Sequence, residues 1–421
     1  MLSTGPINGS RLWGKAWVQA LWWCSCGALT VALASYVSWF SDGRAFPQGA
    51  HVLVIGTILA FAAGGFVTQQ LARHDLEHSV YVSSFFVMAG LFLLLGAALL
   101  FLRAYYSRSF LLTAFGVGTV CNWIGLYWLE KSHRLVFGVL DGITLQLPAD
   151  SQFELVNLDS PSQPRQGLDG LVVDYDHLDE RWQPVVAQAT VAGLSVYQVA
   201  NFYEMATGRV SLNHVAPSQA RDFHLHIFYA AIKRLLDLAV ALLLLPVLLM
   251  LTVLIGFAIK LDSPGPVFFR QARVGQQGRV FVIFKFRSMQ VGADDAGHSF
   301  AKAGDPRVTR LGRFLRRTRL DELPQIFNVL KGDMSLIGPR PEQVGFVREF
   351  EHSIPFYTYR HLVKPGITGW AQVSHGYAAS EASTRDKLEY DLYYAKYCSI
   401  WLDLLITFRT TRTIITGFGV R

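Results

Sequence analysis

Asp321 and Glu322 stand side by side in LDELPQIFNVLKGDMSLIGPRPE, Leu320 to Glu342, and Arg340 lies between two prolines near the end of the same stretch. Two adjacent carboxylates that stay ionised can serve one as a nucleophile and the other as a ligand for a hard cation. The local pattern favours ionisation. Asp321 is an N-cap type, and Pro324 suits a first helical turn, where its missing N–H is not needed, so a helix is expected to begin at Asp321. Leu323, Ile326, Phe327 and Leu330 follow at helical spacing, and Lys331-Gly332 closes the element with a cation and a C-terminal glycine. Both carboxylates would then sit where backbone N–H groups and the helix dipole stabilise anions. Taken alone, an Asp-Glu pair at a helix start is more often a cap and a first-turn acid.

Other stretches supply complementary groups. PVFFRQARV and GRVFVIFKFRSM, separated by Gly275-Gln276-Gln277-Gly278, read as a hairpin. Its second strand puts Lys285 and Arg287 on one face and Phe284 and Phe286 on the other. Two cations beside a carboxylate pair could hold a diphosphate; alone, they also suit a solvated or headgroup-facing strand. Arg340 in Gly338-Pro339-Arg340-Pro341 is pre-set by its prolines and would lose little entropy on binding a phosphate. In KPGITGWAQ, Lys364 and Gln372 are candidate substrate contacts, and Gly366 and Gly369 beside Trp370 would admit a ligand close to the backbone. Asp391 lies among aromatics in KLEYDLYYAKY.

The elements that must position these residues begin with membrane helices. Among the 421 residues 51% are hydrophobic. Ala16–Phe40, His51–Leu71, Val80–Leu102 and Ser109–Leu129 are each long enough to span a hydrocarbon core of about 30 Å. Arg11, Lys15, Arg73, Lys131 and Arg134 flank one side, against Arg44, Arg103 and Arg108 on the other, which favours a cytoplasmic N-terminus. From about Leu135, the runs LVFGVL, FELVNL, GLVVDY and LSVYQV, with a helix expected within Asp179–Gly193, give an open α/β pattern, while Pro161, Pro164 and Gly167 mark a loop. No GxGxxG follows the first run, so dinucleotide binding is not expected.

A fifth apolar stretch, Leu235–Ile259, has Lys233-Arg234 before it, Lys260 after it and Pro246 at its midpoint. Basic residues at both ends suit a helix-break-helix that enters one leaflet and returns, kinked at Pro246. An ion pair between Lys233 and Asp237 would make the acid tolerable there. Between Asp262 and Leu320 there are twelve Lys or Arg and four Asp or Glu, an excess that accounts for the whole net charge of +7. RLGRFLRRTR, with Leu311, Phe314 and Leu315 on one edge, fits an anionic lipid surface better than nucleic acid, for which no motif is present. The last helix puts Ile400, Trp401, Leu404, Leu405 and Phe408 on one face, with Arg409 and Arg412 off it; interface and core are equally open for it. The four cysteines form no zinc or disulfide pattern.

Taken together, KRLLDLAVALLLLPVLLM, SPGPVFFRQARVG, FKFRSM, LDELPQIFNVLKGDMSLIGPRPE, KPGITGWAQV and YDLYYAKY resemble, in order and spacing, the bacterial sugar transferases of the monotopic phosphoglycosyl transferase superfamily, in the long polyprenyl-phosphate hexose-1-phosphate transferase form. The resemblance is specific from about Ala230 to Phe418; before that it rests on architecture and a short TGRVSL. It implies a membrane α+β protein: a four-helix transmembrane region at 1–130, a small Rossmann-like domain at 131–220, and a catalytic domain at 221–421 with a Pro-kinked re-entrant helix at 230–261. The implied reaction moves a hexose-1-phosphate from a UDP-sugar to undecaprenyl phosphate, releasing UMP. It starts exopolysaccharide, capsule or O-antigen synthesis at the cytoplasmic face of the bacterial inner membrane.

The resemblance assigns Asp321 as the nucleophile of a ping-pong mechanism and Glu322 as a Mg²⁺ ligand. Lys285, Arg287 and Arg340 become diphosphate contacts, and Asp391 takes a catalytic metal or orienting role. Partners expected are the donor, the lipid acceptor, inner-membrane lipid and a second copy in a homodimer. Two alternatives stay open: direct attack by the lipid phosphate, and a non-catalytic scaffold of a polysaccharide assembly system. The glycine-rich start of the middle domain seen in some family members is absent, and the sugar is not legible.

Overall fold

The computed structural model describes residues 9–42, 50–74, 80–132, 135–143, 145, 147, 153–161, 167–212, 223, 227–290, 305–374 and 381–416. Arg44, Arg134 and Pro164 lie outside these. Four apolar helices open the chain: α1 (Gly9–Asp42), α2 (His51–His74), α3 (Val80–Phe101) and α4 (Arg108–Ser132). Each carries a stretch long and apolar enough to cross a membrane, where expected. Leu53, Phe61, Met88, Leu99 and Phe110 fill the space between them. Inside lipid the hydrophobic effect gives no preference for helix over lipid contact, so polar ties matter. Asn122 of α4 donates to Thr68 Oγ1 of α2 at 3.1 Å and to Ser84 Oγ of α3 at 2.9 Å.

The four apolar runs that follow are strands: β1 (Leu135–Leu140), β2 (Phe153–Leu158), β3 (Gly170–Val173) and β4 (Ser195–Gln198). All pair in parallel, in the order β2-β1-β3-β4. Helices α5 (Gln183–Val191) and α6 (Val199–Thr207) connect and flank them. Strand side chains alternate between faces. Phe137, Val139 and Val172 therefore meet Phe202 on one side, while Leu140, Leu171 and Val173 meet Trp182 and Val186 on the other. Membrane helices and sheet cluster as one compact unit, Met1–Thr207, and the remainder, Gly208–Arg421, forms a second. The two units meet at Thr207 and Gly208. Val210 N–H donates to Glu389 O at 3.1 Å and Leu212 N–H to Glu389 Oε1 at 3.2 Å, tying this strap to the second unit.

That unit begins with α7 (Ile227–Asp262), 36 residues with Pro246 inside. Where a break was expected, helical backbone continues through Pro246: a proline removes one hydrogen bond without having to end a helix. Nor does Asp237 pair with Lys233. Lys233 reaches Asp403 at 2.7 Å, and Asp237 accepts from the Leu336 N–H at 3.2 Å. Partners distant in the chain, the Asp403 carboxylate and the Leu336 N–H, have replaced the expected i,i+4 pair.

The remaining elements are β5 (Phe268–Val274), β6 (Val280–Phe286), α8 (Arg310–Arg317), a 3₁₀ turn Leu320–Gln325 running into α9 (Ile326–Lys331), β7 (Ser335–Ile337), α10 (Val344–Ser353), β8 (Gly366–Thr368), α11 (Trp370–Ser374), α12 (Glu381–Tyr397) and α13 (Ile400–Thr416). Strands β5 and β6 form the expected antiparallel hairpin, with Gln277 and Gly278 at positive φ in its turn. Helix α13 is a core helix whose buried face is Leu402, Leu405, Ile406 and Arg409; Arg409 lies 4.7 Å over the Trp370 ring, so the arginine placed off the packed face is on it. A guanidinium is flat and weakly hydrated enough to stack there.

Candidate active site

The carboxylates are not at an α-helix start. They lie in the 3₁₀ turn Leu320–Gln325, entered through Arg319 in left-handed backbone at φ +58, and α9 begins only at Ile326. Asp321 therefore caps nothing. The α-helical i→i−4 pattern cannot include Pro324 beyond a first turn, so the tighter turn carries the chain up to it. The far end behaves as expected: Gly332 closes α9 at φ +95.

Asn328 pins α9 to the hairpin. Fully buried, it accepts from Phe284 N–H at 3.1 Å and donates to Val282 O at 2.7 Å, completing β6 as a further strand would. This brings Lys285 to the carboxylates. Lys285 Nζ donates to Glu322 Oε1 at 3.1 Å, and Arg340 grips the same carboxylate with both terminal nitrogens, at 2.5 Å to Oε1 and 3.2 Å to Oε2. Asn328 was missed in the sequence, although a polar residue among Ile326, Phe327, Val329 and Leu330 was a signal.

Arg340 is held in turn by close backbone packing. β7 and β8 pair in parallel, and Gly338 N–H donates to Thr368 O at 2.8 Å while Gly366 N–H donates to Pro339 O at 2.9 Å. A Cβ on Gly338, Gly366 or Gly369 would collide with backbone of the facing loop. The glycines near Trp370 thus admit the GPRP loop rather than a ligand. Trp370 is itself buried, with its Nε1 donating to Gly208 O at 2.8 Å.

Asp391 belongs to this support. It is 2% exposed and pairs with Arg360 at 2.7 Å; Arg360 also donates to Tyr357 Oη at 2.8 Å and to the Arg340 carbonyl at 2.9 Å. Burial opposes the Arg360 charge, but Tyr357, Asp391 and Glu342 raise its pKa and keep it protonated. Asp391 is spent on Arg360, an arginine no sequence motif singled out.

Three further candidates lie apart from the Glu322 clamp. Arg287 donates to Ser263 O at 2.6 Å, Ser263 Oγ at 2.9 Å and Pro264 O at 2.9 Å, locking the end of β6 to the turn after α7. Lys364 sits among Arg234, Asp237, Asp333 and Gly332, at the opposite end of α9; burial and then Arg234 lower its pKa. Gln372 donates to Ile367 O at 3.2 Å.

The two carboxylates differ sharply. Both are buried, Asp321 at 8% and Glu322 at 6% exposure. Burial works against the Glu322 charge, but Arg340 and Lys285 hold it well below the usual carboxylate range. No hydrogen bond joins the Asp321 carboxylate to any described residue; burial, and then the charge of Glu322, raise its pKa against Lys285, Arg340 and Arg316. Such an oxygen is more basic and has its lone pairs free for a bond to phosphorus.

Among the described residues no three His, Cys, Asp or Glu gather as a metal cage. Mg²⁺ needs none, since it is commonly held by one or two carboxylates, waters and substrate phosphates. Glu322 takes three hydrogen bonds, and a carboxylate has about four lone-pair positions. One position on Oε2 is left over, and a carboxylate oxygen is the kind of donor that would hold Mg²⁺.

A buried carboxylate pair beside a cation clamp can meet a phosphoryl group with both a nucleophile and neutralising charge, and the chain carries helices long and apolar enough to cross a membrane. Residues 228–417 match the family described as bacterial sugar transferase. The chain is 43% identical over 375 residues to the UDP-N-acetylgalactosamine-undecaprenyl-phosphate N-acetylgalactosaminephosphotransferase of Aeromonas hydrophila, covering 87% of each chain. It is 40% identical over 235 residues to the UDP-glucose:undecaprenyl-phosphate glucose-1-phosphate transferase of Escherichia coli K12, covering 55% of this chain and 50% of that one. A Xanthomonas campestris protein of the same description is 46% identical over 192 residues, 45% of this chain and 40% of its own. The chain belongs to the bacterial sugar transferase family and is an enzyme, a phosphoglycosyl transferase.

Proposed function

We propose that the enzyme transfers a sugar-1-phosphate from a UDP-sugar to undecaprenyl phosphate through a covalent intermediate on Asp321. One Asp321 oxygen bonds to the sugar-bearing phosphorus, and the bond from that phosphorus to the bridging oxygen breaks. UMP leaves with the bridging oxygen. An oxygen of undecaprenyl phosphate then bonds to the same phosphorus, the bond to Asp321 breaks, and undecaprenyl-diphosphate-sugar departs with the carboxylate restored. The observation that carries this reading is the contrast between an unbonded Asp321 and a Glu322 held by Lys285 and Arg340.

Lys285 and Arg340 would share their N–H groups between Glu322 and the diphosphate, and Glu322 would hold Mg²⁺. When bound, Mg²⁺ neutralises phosphoryl charge that would otherwise repel a carboxylate nucleophile.

The re-entrant reading of α7 belongs here too. As a straight helix its 36 residues would run roughly 54 Å. Yet Arg234 donates to the Val329 and Leu330 carbonyls, Leu248 packs with Ile283 and Ile326, and Ile259 packs with Phe286 and Leu315. Start, middle and end all meet the catalytic unit. That supports a helix that does not carry its two ends to opposite faces. Its outer side is apolar along the length, with Leu235, Leu243, Val253 and Leu261 about two-thirds exposed or more, which suits hydrocarbon. We place the catalytic unit at the cytoplasmic face of the inner membrane, where UDP-sugars are, and read the parallel sheet as Rossmann-like.

The test is a trap without acceptor: protein, Mg²⁺ and a panel of UDP-sugars headed by UDP-N-acetylgalactosamine and UDP-glucose, read by intact mass. An adduct of sugar-phosphate mass that is absent from Asp321→Asn is expected. UMP release that requires lipid, with no adduct from any donor, would favour direct transfer; neither adduct nor release would favour the scaffold.

A further inference from the structure

Gln325 ends the turn that carries the carboxylates. It is 1% exposed, and its Nε2 has no hydrogen-bond partner. Neither end of the amide bonds to any described residue. In a 3₁₀ turn residues three apart eclipse one another, so Gln325 stands in line with Glu322, and it follows Asp321 by four.

A buried amide with no partner costs free energy that a methionine of similar length would not. Its neighbours do not behave this way: Asn328, three residues on, satisfies both ends of its amide on β6. The cations nearest the carboxylates are already engaged by Glu322. Gln325 Nε2 is therefore an uncommitted neutral donor on the element that presents Asp321, and a phosphoryl oxygen, which only accepts, is a group that can complete it.

We propose that Gln325 is a further catalytic residue: its Nε2 donates to a non-bridging oxygen of the phosphoryl group that moves from the nucleotide to Asp321 and on to the lipid. A neutral donor can hold that oxygen through both transfers without trapping the intermediate as a third cation would. This rests on the enzyme being a phosphoglycosyl transferase; it does not need the step to be covalent.

The test uses the full chain in nanodiscs of phosphatidylglycerol and phosphatidylethanolamine with Mg²⁺, undecaprenyl phosphate and whichever UDP-sugar turns over fastest. Gln325→Met is compared with wild type for kcat, donor KM and thermal midpoint. Expected is a fall in kcat on the order of 10²-fold, with a midpoint equal to or above that of wild type, because an unpartnered amide has been removed. Gln325→Glu, which sets a carboxylate against the phosphoryl group, is expected to fall further. Turnover of Gln325→Met within about twofold of wild type overturns the proposal; so does a loss of turnover accompanied by a lowered midpoint, which would mark a structural amide. Wild-type protein carried through the acceptor-free trap separates this from the Asp321 reading. A missing adduct there counts against the covalent step alone, while the kcat of Gln325→Met still decides the role of Gln325.

Discussion

Two buried carboxylate–guanidinium centres lie in the catalytic unit, and they are built differently. Around Asp391 the charges are paired: Arg360 meets the carboxylate, the Tyr357 hydroxyl and the Arg340 carbonyl. Around Glu322 the clamp is as tight, but beside it, among the described residues, no hydrogen bond reaches the Asp321 carboxylate and Gln325 Nε2 has no partner. Burying unmatched polar groups costs stability, whereas matched ones hold a chain in one arrangement. The Asp391 centre keeps Arg340 in place from behind, and the Glu322 centre leaves groups open for a substrate to complete.

The largest effect that tests this contrast comes from Asp321→Asn. Turnover should fall by about 10³-fold or more, as when a nucleophile is removed. Its thermal midpoint should nonetheless rise. A folded pKa raised above the unfolded one means that ionised Asp321 costs stability above its unfolded pKa, and the amide removes that cost. A lowered midpoint would show that the carboxylate is structurally satisfied after all.

Next is Asp391→Ala. Stranding Arg360 should cost about 3–5 kcal/mol, measured by denaturant or thermal unfolding, and Asp391→Ala with Arg360→Met together should cost less than Asp391→Ala alone. If Asp391→Ala instead leaves stability unchanged and abolishes Mg²⁺-dependent turnover, Asp391 belongs with the open centre.

The pH dependence separates the centres in solution. Glu342, bonded to Lys387 beside Arg360, is held at about 2 by Lys387, Arg360 and Arg273 despite its burial. A lowered folded pKa gives stability that is present above the unfolded value near 4.5 and lost as pH falls towards about 2. Asp321 works in the opposite direction. Its raised pKa should place the acid limb of the rate above the ordinary carboxylate range, so turnover declines while the fold is intact. Coincident loss of rate and fold would remove the distinction.

The smallest expected effect is that of Arg287→Lys. The guanidinium is committed to Ser263 and Pro264, so the change should cost about 1–2 kcal/mol of stability and leave donor KM nearly unaltered. A large KM change would return Arg287 to the diphosphate.

The strands and spans were legible because periodicity is local. LVFGVL, FELVNL, GLVVDY and LSVYQV became β1 to β4, and the hairpin turn fell at its glycines. Glu322, Lys285 and Arg340 were legible as one site only from several motifs taken together, since each charged residue alone has a common structural use. Arg360 and Asn328 were not, since nothing in TYRHL or IFNVL says which distant backbone groups need partners. As a local pattern the glycines of GITGW offer space for a ligand, and only the facing loop reveals that the GPRP backbone fills it.

By itself, then, the sequence determined the apolar helices, the parallel-sheet strands, the excess of cations before the carboxylates and the kinds of group available for chemistry at phosphorus. These follow from side-chain type and local spacing. Tertiary structure alone decided which carboxylate is bound and which is free, that Lys285 rather than Arg287 reaches Glu322, and that Asp391 supports Arg340 from behind. Those depend on partners brought from 18 to 37 residues away by the packing of β6 and the GPRP loop on one short turn, and no local pattern encodes such a meeting.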